Sequence, residues 1–240
     1  MTAVLLVAHG SSDPRAAAAT RALTRAVAAQ RPGLDVRCAF LDHAGPRPGE
    51  QLFAFAALGH RRAMVVPLLL TNAFHGRFDL PGVLRQARAE GLDLDVTTTA
   101  VLGAGAPALL LSALRRLLPP AGYDGIVLAA AGTRDDLARH SVDTAAAALG
   151  AALGVPCTPG YASASPITGA AAVATLRARG CRRIAVSSYF LAPGKLHDIV
   201  IDSAVRAGAL RPVAEPLCAH VDIARLVMAR IGEFGLLRVA

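Results

Sequence analysis

Val4-Leu5-Leu6-Val7-Ala8-His9-Gly10-Ser11-Ser12-Asp13-Pro14-Arg15 is the stretch on which the fold turns. Five apolar residues stop abruptly at a His-Gly pair, and turn and cap residues follow at once. A second stretch has the same form. Met64-Val65-Val66-Pro67-Leu68-Leu69-Leu70 runs into Thr71-Asn72-Ala73-Phe74-His75-Gly76-Arg77. Short apolar runs of Val and Leu between turn formers are the pattern of strands buried on both faces, as in parallel sheets. Each run delivers a histidine just past the carboxyl end of its strand, the edge at which open α/β sheets bind ligands. Two imidazoles on one edge suit a metal ion or a proton transfer.

The alternation continues along the chain. Helical periodicity over residues 13–31, 46–59, 79–91 and 106–118 separates strand runs at 34–41, 63–70 and 94–101. Pro48 and Gly49 weaken the second of these helices. After Pro119-Pro120-Ala121-Gly122, a natural linker, the pattern begins again. Strands are expected at 125–130, 156–161, 183–191 and 212–217, with helices at 135–154, 167–179, 196–207 and 221–235. Val7-Ala8-His9-Gly10-Ser11-Ser12-Asp13 lies over Ala129-Ala130-Ala131-Gly132-Thr133-Arg134-Asp135, and His197 falls one residue past the counterpart of His75. Four βα units twice over fit two α/β halves facing across a cleft, and equally a (β/α)8 barrel.

Composition narrows the functions. The 240 residues carry a net charge of +8 with 54% hydrophobic and 4% aromatic residues, and the mean hydropathy is +0.46. Lys195 is the only lysine, so the positive charge is nearly all arginine. Aromatics are too few, and too far from the arginines, for a platform that stacks single strands, and no nucleic acid partner is expected. A small polyanionic substrate suits the same charge. The uncharged stretches at 96–114 and 144–176 are cut by glycines and prolines, and the first apolar run is too short for a signal peptide. A soluble cytoplasmic protein without membrane contact is expected. Cys38, Cys157, Cys181 and Cys218 form no C-x-x-C and read as small hydrophobes.

His9 sits beside a helix N-terminus, whose dipole favours the neutral imidazole that ligates metal or accepts a proton. Its alternative is a histidine bonded to a loop carbonyl. Asp42 ends the second strand on the same edge and would complete a His9–Asp42–His75 set of the N/O type that takes Fe2+, Co2+ or Ni2+. His43 is expected to point elsewhere. Ser11, Ser12 and Thr133 are helix caps or anion donors. Arg15, Arg77, Arg134 and Lys195 are placed to pair with substrate carboxylates, and Asn72 and Phe74 flank His75. His60, His140 and His220 read as structural or surface residues. No G-x-G-x-x-G after a strand, no P-loop and no G-x-S-x-G is present, which removes dinucleotide, P-loop and α/β-hydrolase chemistry.

The opening from Leu5 to Ala16, Ala39-Phe40-Leu41-Asp42, and the run from Val66 to His75 together resemble the class II tetrapyrrole chelatases, the sirohydrochlorin cobalto- and ferrochelatases. The second half, with Tyr189-Phe190-Leu191-Ala192-Pro193-Gly194 and His197-Asp198, looks like their long two-domain form. The resemblance implies two similar three-layer αβα domains with parallel sheets, over residues 1–119 and 123–240, with the active-site cleft between them. It implies insertion of a divalent metal, Co2+ or Fe2+, into a sirohydrochlorin-type tetrapyrrole, for cobalamin or sirohaem biosynthesis. The metal is then a substrate, and no cofactor is permanently bound. His9 and His75 would be catalytic, and His9, Asp42 and His75 would hold the metal. Ser11, Arg15, Asn72, Phe74, Arg77, Arg134 and Lys195 would bind the macrocycle. The family often has Glu where this chain has Asp42, and Ala131 in place of a histidine implies that the second half lost its full metal site. An internal duplication lets a monomer suffice. Two other readings stand beside this one: a non-catalytic tetrapyrrole or metal carrier, and a histidine-type phosphatase, although Ala8 occupies the place of that family's phosphate-binding arginine.

Overall fold

The computed structural model describes residues 2–71 and 80–233. Its strands are β1 (Thr2–Ala8), β2 (Leu34–Phe40), β3 (Arg62–Pro67), β4 (Asp95–Thr98), β5 (Gly125–Ala130), β6 (Cys157–Tyr161) and β7 (Ile184–Ser188). Its helices are α1 (Pro14–Gln30), α2 (Pro48–Ala57), α3 (Leu80–Ala89), α4 (Ala108–Leu117), α5 (Asp136–Leu153), α6 (Gly169–Ala178), α7 (Lys195–Arg206) and α8 (Val221–Gly232). Two parallel sheets form, in the orders β2-β1-β3-β4 and β6-β5-β7. Two open sheets rule out the single closed barrel.

In the first unit β1 is the central strand, and residues 3–6 are wholly buried. Ala3, Leu5 and Val7 meet Leu52 and Phe55 of α2, Ala63 and Val65 of β3, and Leu80 and Ala87 of α3. Val4 and Leu6 point to the other face by the strand period of two and are buried there. Full burial of such a Leu or Phe stabilises by about 1.5–3 kcal/mol. Pro48 does not break α2. It occupies the first turn, where its missing N–H has no intrahelical partner to lose, and Glu50 caps the helix by accepting from the Arg47 N–H at 2.8 Å.

In the second unit all six residues of β5 are buried. α6 and α7 cross closely because Gly169 has no side chain; a Cβ there would lie 2.4 Å from the Val200 carbonyl oxygen. The strand expected at 212–217 does not form. Leu210 N–H donates to Ile184 O at 2.8 Å and Ala214 N–H to Val186 O at 3.2 Å, so this segment runs beside β7. In regular register Val186 O would be met by residue 212, but Pro212 has no N–H to give, and the bond is made by Ala214 two residues later, which breaks the ladder. Pro216 and a short 3₁₀ turn at Leu217–Ala219 follow.

The chain forms two compact units, one comprising the residues up to Ala104 and again from Ile223, and the other Gly105–Asp222. α4 joins the second unit, where it packs on α5. The second unit is fastened at its ends: Ser112 Oγ of α4 donates to the buried Asp222 carboxylate at 2.8 Å. α8 joins the first unit, where Arg230 donates to Ala104 O at 2.8 Å. The four cysteines are free thiols, and burial pushes those of Cys157 and Cys218 up to about 12, so both stay protonated. No described helix is long and apolar enough to cross a membrane.

At the amino end of β2, Asp35 receives Arg37 Nε–H at 3.0 Å and an Nη–H at 2.8 Å, and lies 3.3 Å from His60 Nε2. Arg37 also stacks 4.8 Å over the Phe55 ring. Burial raises the Asp35 pKa, but the Arg37 hydrogen bonds and charge outweigh it and leave the carboxyl below its ordinary 3.8. A depressed folded pKa stabilises above the unfolded value, and that contribution disappears as pH falls through the folded one. Asp35→Asn is therefore expected to lower the melting temperature at pH 7. The gap to wild type should narrow below about pH 4, and a gap independent of pH would refute the assignment.

Candidate metal-handling edge of the first unit

The carboxyl ends of β1 and β2 are joined by the loops that follow them. Leu41 N–H donates to Ala8 O at 3.0 Å, and Asp42 N–H donates to His9 O at 2.8 Å. These bonds extend the β1–β2 register beyond the strands and set Asp42 opposite His9. Gly10 permits the approach. Its φ is +94°, and a Cβ on it would stand 1.8 Å from the Asp42 carbonyl oxygen. Only glycine fits on both counts.

His9 is half-buried, and its Nδ1 lies 3.0 Å from Gly10 O. A carbonyl oxygen only accepts, so Nδ1 carries the hydrogen and Nε2 is the lone-pair nitrogen of the neutral ring. The loop-carbonyl bond fixes the tautomer of the ring, as backbone carbonyls do for histidines that bind metals. The Asp42 carboxyl is held below its ordinary 3.8, first by the His43 N–H donating to Oδ1 at 2.8 Å and then by the His43 imidazole. The His9 ring is close enough to add to the same effect. Asp42 therefore faces solvent as an anion at neutral pH.

His43, expected to point away from Asp42, turns towards it instead. Its backbone is left-handed, with φ 58°, and this turns the ring back so that Nε2 lies 3.5 Å from Asp42 Oδ2. Histidine is among the non-glycine residues enriched in the left-handed region, yet the conformation is uncommon even for it, so residue type alone does not announce this.

The second unit repeats the frame bond for bond. Ala162 N–H donates to Ala130 O at 3.0 Å and Ser163 N–H to Ala131 O at 3.1 Å. Gly132 has φ +93°, with a would-be Cβ 1.9 Å from Ser163 O, and Ala164 has φ 54°. Yet Ala131, Ser163 and Ala164 stand where the first unit has His9, Asp42 and His43. Ser11 Oγ accepts from Asp13 N–H and Thr133 Oγ1 from Asp135 N–H, each at 3.1 Å, so both hydroxyls serve the same turn.

Among the other expected residues, Arg15 is engaged with Asp13, donating from Nε at 3.0 Å and from an Nη at 2.6 Å. Arg134 and Lys195 are exposed, beside α5 and at the first residue of α7. His197 donates from Nδ1 to Asp198 at 2.9 Å and stands edge-on to Phe190, while its buried Nε2 has no hydrogen-bond partner among the described residues. Asn72, Phe74, His75 and Arg77 lie outside the described residues. Within the described residues no three His, Cys, Asp or Glu side chains are grouped to hold a metal ion.

The CbiX family model matches residues 3–117 and again 125–234, one match to each sequence half. SirB from Bacillus subtilis with Fe3+ has a similar structure, with a TM-score of 0.82 at 19% identity over 98% of this chain and 96% of that one. The sirohydrochlorin chelatase SirB from Bacillus subtilis subspecies spizizenii in complex with cobalt gives 0.79 at 19% identity, over 97% and 94%. CbiX, the terminal enzyme for biosynthesis of siroheme in denitrifying bacteria, gives 0.66 at 22% identity, over 96% and 98%. At such identities the likeness is one of fold. No curated protein sequence matches the chain.

Gly10→Ala and Gly59→Ala separate the two demands on Gly10. Both positions have positive φ, but a Cβ on Gly59 meets nothing within 4 Å. Gly59→Ala is expected to cost about 1 kcal/mol from backbone strain alone. Gly10→Ala should cost clearly more in a thermal melt, since Asp42 must be pushed away from His9. Equal losses would show that the two loops are not pinned together.

Proposed function

The chain belongs to the CbiX family, and from that premise we propose that it is a sirohydrochlorin chelatase, inserting Co2+ or Fe2+ into a polycarboxylated tetrapyrrole. The observation that carries the reading is the pairing of His9, its lone pair on Nε2, with the anionic Asp42 in one unit only.

Insertion must remove two N–H protons from the macrocycle and strip water from the ion. A neutral imidazole nitrogen is suited to either task, as a base for one proton or as a ligand. The Asp42 carboxylate offers charge to the dication and offsets part of the loss of its waters. His75, from the matching strand end, is proposed as the second imidazole of the set. Arg77, Arg134 and Lys195, with Ser11, Asn72 and Phe74, are proposed to meet the macrocycle. Arg15 joins them only by releasing Asp13. Metal is substrate in this reading, and the internal duplication makes a monomer sufficient.

The test is anaerobic insertion into sirohydrochlorin followed by absorbance, with Co2+ and Fe2+ separately, against a blank without protein. Wild type should accelerate insertion, and His9→Ala should lose at least about a hundredfold while keeping its melting temperature. The faster metal points to the cobalamin or the sirohaem branch. Binding of the macrocycle without acceleration by either metal would instead mark a carrier.

A further inference from the structure

We propose that His43 is a further metal-handling residue: with Asp42 it forms a solvent-facing imidazole–carboxylate pair that takes a borderline divalent cation from water beside His9. The inference rests on the chelatase reading and assigns the step before insertion, capture of the hydrated ion.

The first support is spacing. Asp42 Oδ1 is occupied by the His43 N–H at 2.8 Å, and Oδ2 faces the ring at 3.5 Å from Nε2. That is long for an N–H···O hydrogen bond, which prefers about 2.7–3.2 Å. Two donors each about 2.1 Å from a tetrahedral ion stand about 3.4 Å apart. The gap suits a shared cation better than a shared proton.

Accessibility is the second support. The His43 and Asp42 side chains are 49% and 59% exposed, open to an ion arriving in solution. In the imidazole–carboxylate pairs His60 with Asp35, His197 with Asp198 and His220 with Asp222, the rings are only 6%, 13% and 15% exposed.

The third is the chain's own comparison. The second unit keeps the two backbone bonds, the glycine and the left-handed residue, so its frame imposes the same geometry. It carries Ala131, Ser163 and Ala164, three small side chains in place of His9, Asp42 and His43. The polar residues are present together in one copy and absent together in the other, as expected of a set that works jointly. A histidine serving only the turn would have no reason to follow His9. Ala164 holds the same φ without a ring, so the turn itself does not require one.

Capture exchanges waters on the ion for a lone pair of the His43 imidazole at Nε2 and for Asp42 Oδ2. The ion then stands next to His9, because His9 O and Asp42 N–H are bonded at 2.8 Å.

The test uses the whole chain and Co2+ alone, without tetrapyrrole, titrated by calorimetry and by the visible absorption of the bound ion. His43→Asn and His43→Gly both tolerate positive φ, so the turn is preserved. Each is expected to weaken Co2+ binding about tenfold or more with an unchanged melting temperature. His140→Asn, on the exposed part of α5, should bind as wild type does. In the insertion assay the His43 variants should need about tenfold more Co2+ for half-maximal rate, with a smaller change in maximal rate. Unchanged Co2+ affinity in both His43 variants, an equal loss in His140→Asn, or no Co2+ binding by wild type would each overturn the proposal. Failure of wild type to accelerate insertion would sink the chelatase reading separately, since the Co2+ titration contains no macrocycle.

Discussion

Everything proposed for this chain depends on one backbone hydrogen bond, from Asp42 N–H to His9 O, and on the missing Cβ of Gly10 that lets it form. Side chains on loops are ordinarily mobile relative to one another. Here the two loops continue the pairing of β1 with β2, so an imidazole and a carboxylate are carried by what is in effect an extension of the sheet. Beneath them β1 is buried over residues 3–7 and β2 at Ala39 and Phe40, and the Gly10 carbonyl fixes the proton on His9 Nδ1. Ligand geometry is thus inherited from core packing, and a metal-binding edge is preorganised before any ion arrives.

The second unit shows that this frame and its chemistry are separable. Gly132 and Ala164 reproduce the φ of Gly10 and His43 to within a few degrees, and the two hydrogen bonds between the loops recur to within a few tenths of an ångström. The side chains at the positions of His9, Asp42 and His43 are replaced. A duplicated frame can shed its ligands at little cost to stability, because the bonds that hold it are backbone bonds.

Much of this was legible in the sequence because the strongest signals are local. A run of buried aliphatics ending in His-Gly reads as a strand and its edge, and a second Gly-hydroxyl-x-Asp loop reads as a repeat. His9 and Asp42 could be put on one edge from strand direction alone. The misses have physical causes of another kind. The ring direction of His43 depends on a left-handed φ, which remains uncommon even for histidine and is set by the loop rather than by the residue type. The failed strand at 212–217 turned on one absent N–H, at Pro212, amid an otherwise suitable apolar pattern. Charge was the least informative signal. Arg15, a substrate candidate by position, spends its guanidinium on Asp13, and Arg37 spends its own on Asp35 and Phe55.

The central claim is that metal chemistry belongs to the first unit's edge and not to its copy. Crystals of the chain soaked with Co2+ and measured at the cobalt absorption edge would locate the ion directly by anomalous scattering. The account predicts a peak within bonding distance of His9 Nε2 or the Asp42 carboxylate, about 2.1 Å, and none beside Ala131 and Ser163. A peak at the second unit's loop, or bound cobalt with none at His9 or Asp42, would contradict it.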